Sequence, residues 1–278
     1  MIAERVVDGR YAVGAVIGWG ATARVHRGHD LRSGRLVAVK VLREDLARDP
    51  AARSRFRREA LTVAGLDHPA IVSVYATGDS ADEGLGGEAA AGVPFIVLEY
   101  VAGRSLRDLL AIRDLGRDEA IHYQSGILAA LAASHRAGVV HRDVKPANVM
   151  ITPEDAVKLV DFGISSSGTD PAATQTHGRT FLGTPSYTSP EQVRGHAVDA
   201  RSDLYSAGCV LHELLTGRPP FVGDDAVSVA YQHVHEAPAA VSTALAPLDA
   251  VLARALAKEP DDRFQDASTF RDAILSAA

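Results

Sequence analysis

The chain has 278 residues, of which 46% are hydrophobic and 23% charged, a composition that is typical of globular proteins and excludes wholesale disorder. Its 29 basic and 35 acidic residues give a formal net charge of −6, which gives no support to a nucleic-acid-binding function. The single cysteine, Cys209, excludes an intramolecular disulfide framework and a cysteine-rich zinc site. No secretory signal begins the chain, and its longest apolar run, residues 127–133, is far shorter than the about 20 residues that span a bilayer. We therefore expect no membrane segment in this chain and a cytoplasmic location, with tethering to the membrane through other segments left open.

The first hundred residues are rich in short strands, because apolar and polar residues alternate there as in half-buried sheets. The strands are predicted at residues 11–17, 23–28, 36–42, 71–75 and 94–99. A long polar surface loop is predicted over residues 79–93. Among these strands lies one helix, with Asp49 as its N-cap, Pro50 at its first position and Gly65 at its end.

After Gly103 the pattern becomes helical. Ser105 begins a helical stretch, and a long helix is predicted over residues 117–137. This order predicts an α+β fold with two lobes, a small antiparallel sheet with one key helix followed by a larger, mainly helical lobe. The lobes are predicted at residues 11–99 and 104–274, joined by a short hinge at residues 100–103.

The most informative segment is the loop His141–Met150, which lies between an apolar helix and a predicted strand. It brings together a carboxylate, an ammonium and an amide, on Asp143, Lys145 and Asn148. Phosphoryl transfer uses such a set: one group accepts the proton of the attacking hydroxyl, another offsets phosphoryl charge, and an oxygen ligand holds a metal. Thirteen residues beyond Asn148, Asp161 supplies a second hard oxygen ligand for Mg²⁺. The alternative is a loop of solvated charges.

These motifs resemble the bacterial eukaryotic-like (Hanks-type) serine/threonine protein kinases, over residues 11 to about 272. The resemblance implies a bilobal protein-kinase fold for the whole chain, residues 1–278. It implies that Asp143 is the catalytic base and that Lys145 contacts the γ-phosphoryl group of ATP. It also implies that Asn148 and Asp161 bind Mg²⁺ or Mn²⁺.

The resemblance extends to an ATP site. Gly18-Trp19-Gly20 is similar to the glycine-rich loop over the phosphates, although Ala23 replaces the third glycine of the family pattern, which suggests a stiffer loop. Lys40 ends an apolar strand and would pair with Glu59 to meet the α- and β-phosphates. Taken alone, the loop could be an ordinary glycine hairpin and Lys40 an edge residue. The implied nucleotide-binding residues are Ile17, Gly18, Trp19, Gly20, Val25, Ala38, Lys40, Leu98, Glu99, Val101 and Met150.

An activation segment is implied between Asp161 and Glu191. Thr174 and Thr176 resemble the paired phosphoacceptor threonines of the bacterial family, and Arg142 would receive their phosphates. The alternative is that both threonines merely fill a loop. Thr184 would reach Asp143 and help to position the acceptor hydroxyl.

Other side chains have implied structural roles. Asp203 should brace the catalytic loop through backbone hydrogen bonds, Glu191 and Arg263 should form a buried ion pair, and His141 should stack in the core. Four arginines crowd the first helix, and we interpret them as a solvated face, with contact to a phosphorylated loop as the alternative. They are Arg53, Arg55, Arg57 and Arg58.

The predicted function is therefore an ATP-dependent serine/threonine protein kinase in signal transduction, activated by autophosphorylation and able to form a transient homodimer. A pseudokinase scaffold is a weaker alternative, because Lys40, Asp143 and Asp161 are all present. A small-molecule phosphotransferase of related fold is another, and the Ser189-Pro190-Glu191 segment argues against it.

Overall fold

The computed structural model describes residues 5–80, 92–162, 185–238 and 246–278. The chain divides into two compact units. The first contains Met1–Asp67 and Val72–Ala102, and the second contains His68–Ile71 and Gly103–Ala278. The segment His68–Ile71 groups with the second unit because Ile71 forms a parallel bridge with Leu159, whose amide also donates to the carbonyl of Ala70 at 2.8 Å.

The first unit contains a six-stranded antiparallel sheet with strand order β1-β2-β3-β4-β6-β5. Its strands are β1 (Arg5–Val7), β2 (Tyr11–Trp19), β3 (Ala23–Asp30), β4 (Leu36–Leu42), β5 (Val74–Ser80) and β6 (Val93–Glu99). Its helices are α1 (Glu44–Ala47) and α2 (Pro50–Ala64). The core lies where α2 packs on this sheet, and β4 is almost entirely buried because all of its residues except Lys40 are apolar.

Both ends of α2 are where the sequence predicts them. The Asp49 carboxylate accepts hydrogen bonds from the amides of Ala51 and Ala52, Pro50 is the first helical residue, and Gly65 is the C-cap. These signals are local, so neighbouring residues alone are enough to set the limits of the helix.

Two predictions for this unit need correction, and two short elements were missed. The strand expected at residues 71–75 begins only at Val74, because Ile71 bridges to Leu159 instead. The loop expected at residues 79–93 is shorter at both ends, since Asp79 and Ser80 pair with β6 and Val93 begins that strand; residues 81–91 lie outside the described part. The short elements β1 and α1 were not predicted.

The second unit is mainly helical. Its helices are α3 (Leu106–Leu110), α4 (Arg117–Arg136), α5 (Pro190–Arg194), α6 (Ala200–Thr216), α7 (Ala226–His235), α8 (Ala246–Ala255) and α9 (Ala267–Ala277). A small antiparallel sheet has the order β7 (Arg104–Ser105), β8 (Val149–Ile151) and β9 (Val157–Leu159). Helix α4 packs against α6, α9 and β9, so the centre of the unit is built around it. None of the helices in the described residues is long and apolar enough to cross a lipid bilayer.

The predicted buried ion pair of the second unit is confirmed. Arg263 donates to both carboxylate oxygens of Glu191 at 2.8 Å, and the Arg263 side chain is fully buried. Burial by itself would raise the pKa of Glu191, but the hydrogen bonds from Arg263 and Ser202 hold it below its ordinary value. Glu191 is therefore ionised at neutral pH and ties the N-terminal end of α5 to the segment that precedes α9.

Gly103 occupies a position that no other residue fits. Its φ is +144°, and an added Cβ would lie 2.0 Å from the carbonyl oxygen of Ile151. We expect Gly103→Ala to lower the free energy of unfolding by about 2 kcal/mol or more, measured by urea denaturation. Gly65→Ala is the matched control, because a Cβ there meets nothing within 4 Å. Equal stabilities of the two variants would contradict the expectation.

Candidate active site

The first unit contains the predicted lysine–glutamate pair. Lys40 lies on β4 and Glu59 on α2, and Lys40 Nζ is 2.6 Å from Glu59 Oε1. Their side chains are 11% and 10% exposed, so solvent screens the pair only weakly. The strand and the helix together thus hold the ammonium group in one place.

The glycine-rich segment covers the end of β2 and the turn of the β2–β3 hairpin. The amide of Gly20 donates to the carbonyl of Ala23 at 2.9 Å, which closes the turn. Ala23, where the family has its third glycine, is only 2% exposed and belongs to the core of the first unit. Its methyl group is thus used for packing, which supports the expectation of a stiffer loop. Trp19 is 74% exposed, and the guanidinium carbon of Arg24 lies 4.9 Å from the centre of its ring.

The predicted nucleotide-binding residues are distributed between the two units. In the first unit Ala38 pairs with Leu98 across β4 and β6, and Val25 pairs with Lys40 across β3 and β4. The sheet therefore places apolar side chains next to the lysine in register. Ile17 is half exposed, on the same hairpin as the glycines. Glu99 and Val101 follow at the end of the unit, while Met150 lies on β8 in the second unit.

The predicted catalytic loop of the second unit, His141–Met150, has the predicted residues in direct contact. Lys145 Nζ is 2.7 Å from Asp143 Oδ2 and 2.9 Å from Asp143 Oδ1. The amide nitrogen of Asn148 donates to the Asp143 carbonyl at 2.8 Å and to its carboxylate at 2.9 Å. Asp143 is 40% exposed at its side chain, so an acceptor hydroxyl can reach it. A carboxylate that is oriented by two donors and open to solvent is suited to act as a general base.

Asp203, in the first turn of α6, braces this loop as predicted. Its carboxylate accepts hydrogen bonds from the backbone amides of His141 at 2.8 Å and Arg142 at 2.7 Å. Arg142 has φ of +68°, which is strained for a residue other than glycine. The two bonds that Asp203 accepts, and a third that Gln192 donates to the Arg142 carbonyl at 2.8 Å, hold that backbone conformation.

One contact of Asp203 was missed by the sequence analysis. His135 Nε2, in the last turn of α4, lies 2.8 Å from the same carboxylate. No motif marks His135, because its partner is on another helix far along the chain. Among the described residues, α4 and α6 thus both support the backbone next to Asp143.

His141 has the structural role that was predicted for it. Its ring lies 4.4 Å from that of Phe162, and its Nε2 is 3.1 Å from the carbonyl oxygen of Val160. Burial lowers the pKa of His141, although nearby carboxylates, Asp203 first among them, oppose the shift. The neutral, fully buried ring links the catalytic loop to the segment that carries Asp161.

The oxygen donors that would hold a divalent metal are Asn148 and Asp161. The Asn148 amide nitrogen faces Asp143, so its Oδ1 points away from that residue and can serve as a ligand. Asp161, which has φ of +54°, follows β9, and the amide of Val160 donates to the Asn148 carbonyl at 2.9 Å. Mg²⁺ in nucleotide sites uses one or two protein ligands together with phosphate oxygens, so this donor set fits the ion. No cluster of three His, Cys, Asp or Glu side chains within the described ranges could hold a metal by itself.

Some predicted site residues lie outside the described residues. They are Thr174 and Thr176 of the implied activation segment, and Thr184 near its end. The prediction that Thr174 and Thr176 are phosphoacceptors and that Thr184 contacts Asp143 therefore still rests on the sequence.

Comparison with known proteins gives consistent matches. The family profile described as "Protein kinase domain" matches residues 11–274. The probable serine/threonine-protein kinase SCO3848 of Streptomyces coelicolor is 52% identical over 272 residues, which cover 96% of this chain and 40% of that protein. Serine/threonine-protein kinase PknB of Mycobacterium tuberculosis is 50% identical over 268 residues, which cover 94% of this chain and 42% of that protein.

A solved structure also matches. The crystal structure of the Mycobacterium tuberculosis PknI kinase domain is 30% identical, with a TM-score of 0.76, and the match covers 100% of this chain and 99% of that chain. The predicted fold, with an antiparallel sheet in the first lobe and a helical second lobe, is thereby confirmed. The chain spans about two-fifths of the length of the curated relatives it matches.

Proposed function

The chain belongs to the protein kinase family, and from this membership we propose that it transfers the γ-phosphoryl group of ATP to serine and threonine hydroxyls of proteins. The observation that carries the proposal is the contact of Asp143 with both Lys145 and Asn148, on a loop braced by Asp203. A second candidate function is not favoured by any specific observation.

In the proposed reaction, Asp143 orients the acceptor hydroxyl and accepts its proton, while Lys145 offsets charge on the phosphoryl group. Lys40, held by Glu59, binds the α- and β-phosphates. Asn148 and Asp161 would hold Mg²⁺, or Mn²⁺, and the bound ion would neutralise phosphate charge.

Several wider features belong to the same proposal. We propose that residues 1–278 act as one catalytic domain, with lobes at 11–99 and 104–274 and a hinge at 100–103. Protein substrates, a transient homodimer, a role in signalling and a cytoplasmic location are further parts of the proposal. The catalytic domain and its protein substrates are supported by the family match over residues 11–274 and by the kinase names of the relatives.

Incubation with radiolabelled ATP and Mg²⁺, with and without a generic protein substrate, tests the proposed function. We expect Mg²⁺-dependent label on serine and threonine of the protein. ATP binding without transfer would instead indicate a pseudokinase scaffold, and label on small molecules alone would indicate a small-molecule phosphotransferase. Either of these results would reject the proposal.

We expect autophosphorylation in trans at Thr174 and Thr176. Arg142, next to the catalytic base, would receive the phosphate through charge-assisted hydrogen bonds. Mass spectrometry of ATP-treated protein should find phosphate on at least one of these threonines. An Asp143→Asn chain mixed with active protein should be labelled at the same residues. Both threonines unmodified in fully active protein would contradict this expectation.

A further inference from the structure

A carboxylate near the end of β5 binds two arginines of helix α2. Asp79 Oδ1 accepts a hydrogen bond from Arg53 Nη2 at 2.8 Å, and Asp79 Oδ2 accepts one from Arg57 Nη2 at 2.6 Å. The two arginines are four residues apart, so they lie one turn apart on the same side of the helix. We refer to Arg53, Arg57 and Asp79 as the Asp79 clamp.

Arg53 makes further contacts that distinguish the clamp from an ordinary surface ion pair. Its Nη1 donates to the carbonyl of Gly92 at 2.6 Å and to that of Ala47 at 3.2 Å, and its side chain is only 12% exposed. One guanidinium group therefore joins α2 to α1, to β5 and to the start of β6. Exposed single pairs contribute little, but a largely buried guanidinium with several acceptors is more strongly held.

The clamp and Glu59 lie on different sides of α2. The buried apolar residues Phe56, Ala60 and Val63 run along the helix between them. At 3.6 residues per turn, Glu59 projects roughly 140° away from the mean direction of Arg53 and Arg57. The helix is thus anchored ionically along both edges of its apolar stripe, by Asp79 on one side and by Lys40 on the other.

An apolar stripe alone fixes the rotation of a helix weakly, because hydrophobic contact is not directional. We propose that Asp79 is a positioning residue for phosphoryl transfer: by holding Arg53 and Arg57 it fixes the rotation of α2 about its own axis, so that Glu59 is presented to Lys40. This inference rests on the proposed kinase function, and it assigns to Asp79 no contact with ATP or with the acceptor.

The test compares Asp79→Asn, which removes the charge and keeps the shape, with Asp45→Asn. The control removes a similar exposed arginine–aspartate pair, Arg43–Asp45, in the same unit. At low ionic strength we expect Asp79→Asn to lower kcat/KM for ATP about tenfold, a change that corresponds to about 1.4 kcal/mol. Asp45→Asn should have the activity of the wild type. An unchanged kcat/KM in Asp79→Asn would overturn the proposal.

The dependence of kcat/KM on ionic strength distinguishes positioning of α2 by the clamp from a general contribution of Asp79 to stability. Arg57 is 50% exposed and Asp79 36%, so added ions reach this part of the clamp. Raising the ionic strength from about 0.01 M to about 0.15 M shortens the Debye length from about 30 Å to about 8 Å. The difference in kcat/KM between wild type and Asp79→Asn should therefore become smaller, and a constant difference would count against the clamp.

A double variant tests whether Asp79 acts through Glu59. In a Glu59→Gln background, Asp79→Asn should cause little further loss of residual activity, because the group that the clamp positions is already altered. An equal further loss would indicate general destabilisation and would overturn the proposal.

Calorimetric titration with a non-hydrolysable ATP analogue and Mg²⁺ needs no turnover. Asp79→Asn should raise the Kd of the analogue while Asp45→Asn should not. The titration separates the proposed function from the positioning role of Asp79. If the wild type binds the analogue but transfers no phosphate, the proposed function fails. The Kd values of the wild type and of Asp79→Asn still test the positioning role in that case. Equal Kd values for the wild type and Asp79→Asn would reject the positioning role.

Discussion

Asp143→Asn is expected to lower kcat for protein phosphorylation about 10³-fold, with little change in stability or in nucleotide affinity. The amide cannot accept the proton of the acceptor hydroxyl, and positioned bases contribute about 10²- to 10⁴-fold to proton transfer. The substitution keeps the size of the side chain, and the oxygen of the new amide can still accept one hydrogen bond from Lys145 or Asn148. Steady-state kinetics with a generic protein substrate, together with thermal unfolding, measures both effects.

Asp118→Asn is the matched control for this variant. Asp118 lies in the first turn of α4 in the same unit, and its side chain is 95% exposed. The control should retain the activity of the wild type. If Asp143→Asn kept near-wild-type turnover, the assignment of Asp143 as the base would be wrong.

Lys40→Met is the second variant with a large expected effect. It removes the ammonium group that would bind the phosphates, and we expect kcat/KM for ATP to fall at least about 10²-fold. It also removes the lysine partner of the buried Glu59 carboxylate. Breaking a buried ion pair costs about 3–5 kcal/mol, so Lys40→Met alone should also unfold more easily.

The double variant Lys40→Met with Glu59→Met separates these two effects. It removes the Glu59 carboxylate together with its lysine partner, so the stability measured in urea should recover towards that of the wild type. The activity should not recover, because the ammonium group is still missing. A double variant that regained activity would show that Lys40 has no role with the phosphates.

The parts of this fold that could be predicted from the sequence are those that neighbouring residues determine. The limits of α2 follow from Asp49, Pro50 and Gly65, and β4 follows from an apolar run that only Lys40 interrupts. The start of β5 could not be predicted, since Ile71 bridges to β9, far along the chain, and no local signal indicates such a partner.

The candidate site shows the same division between local and distant determinants. Asp143, Lys145 and Asn148 could be predicted because they share one loop, and their contacts follow from that closeness. The interpretation of the α2 arginines as a solvated face is wrong for Arg53, because the register of β5 and β6 brings Asp79 and Gly92 to it. The contact between His135 and Asp203 could not be predicted for a similar reason, because only the packing of α4 against α6 brings the two residues together.

The exposed ring of Trp19 has a practical consequence. It is the single tryptophan of the chain, so the emission of the whole protein on selective excitation comes from the end of β2, next to the turn of the β2–β3 hairpin. The guanidinium group stacked on the ring, from Arg24, is part of its electrostatic surroundings and would move relative to it if the hairpin changed shape. The chain thus contains an intrinsic optical probe of its glycine-rich segment, and binding at that segment can be followed by fluorescence without any added label.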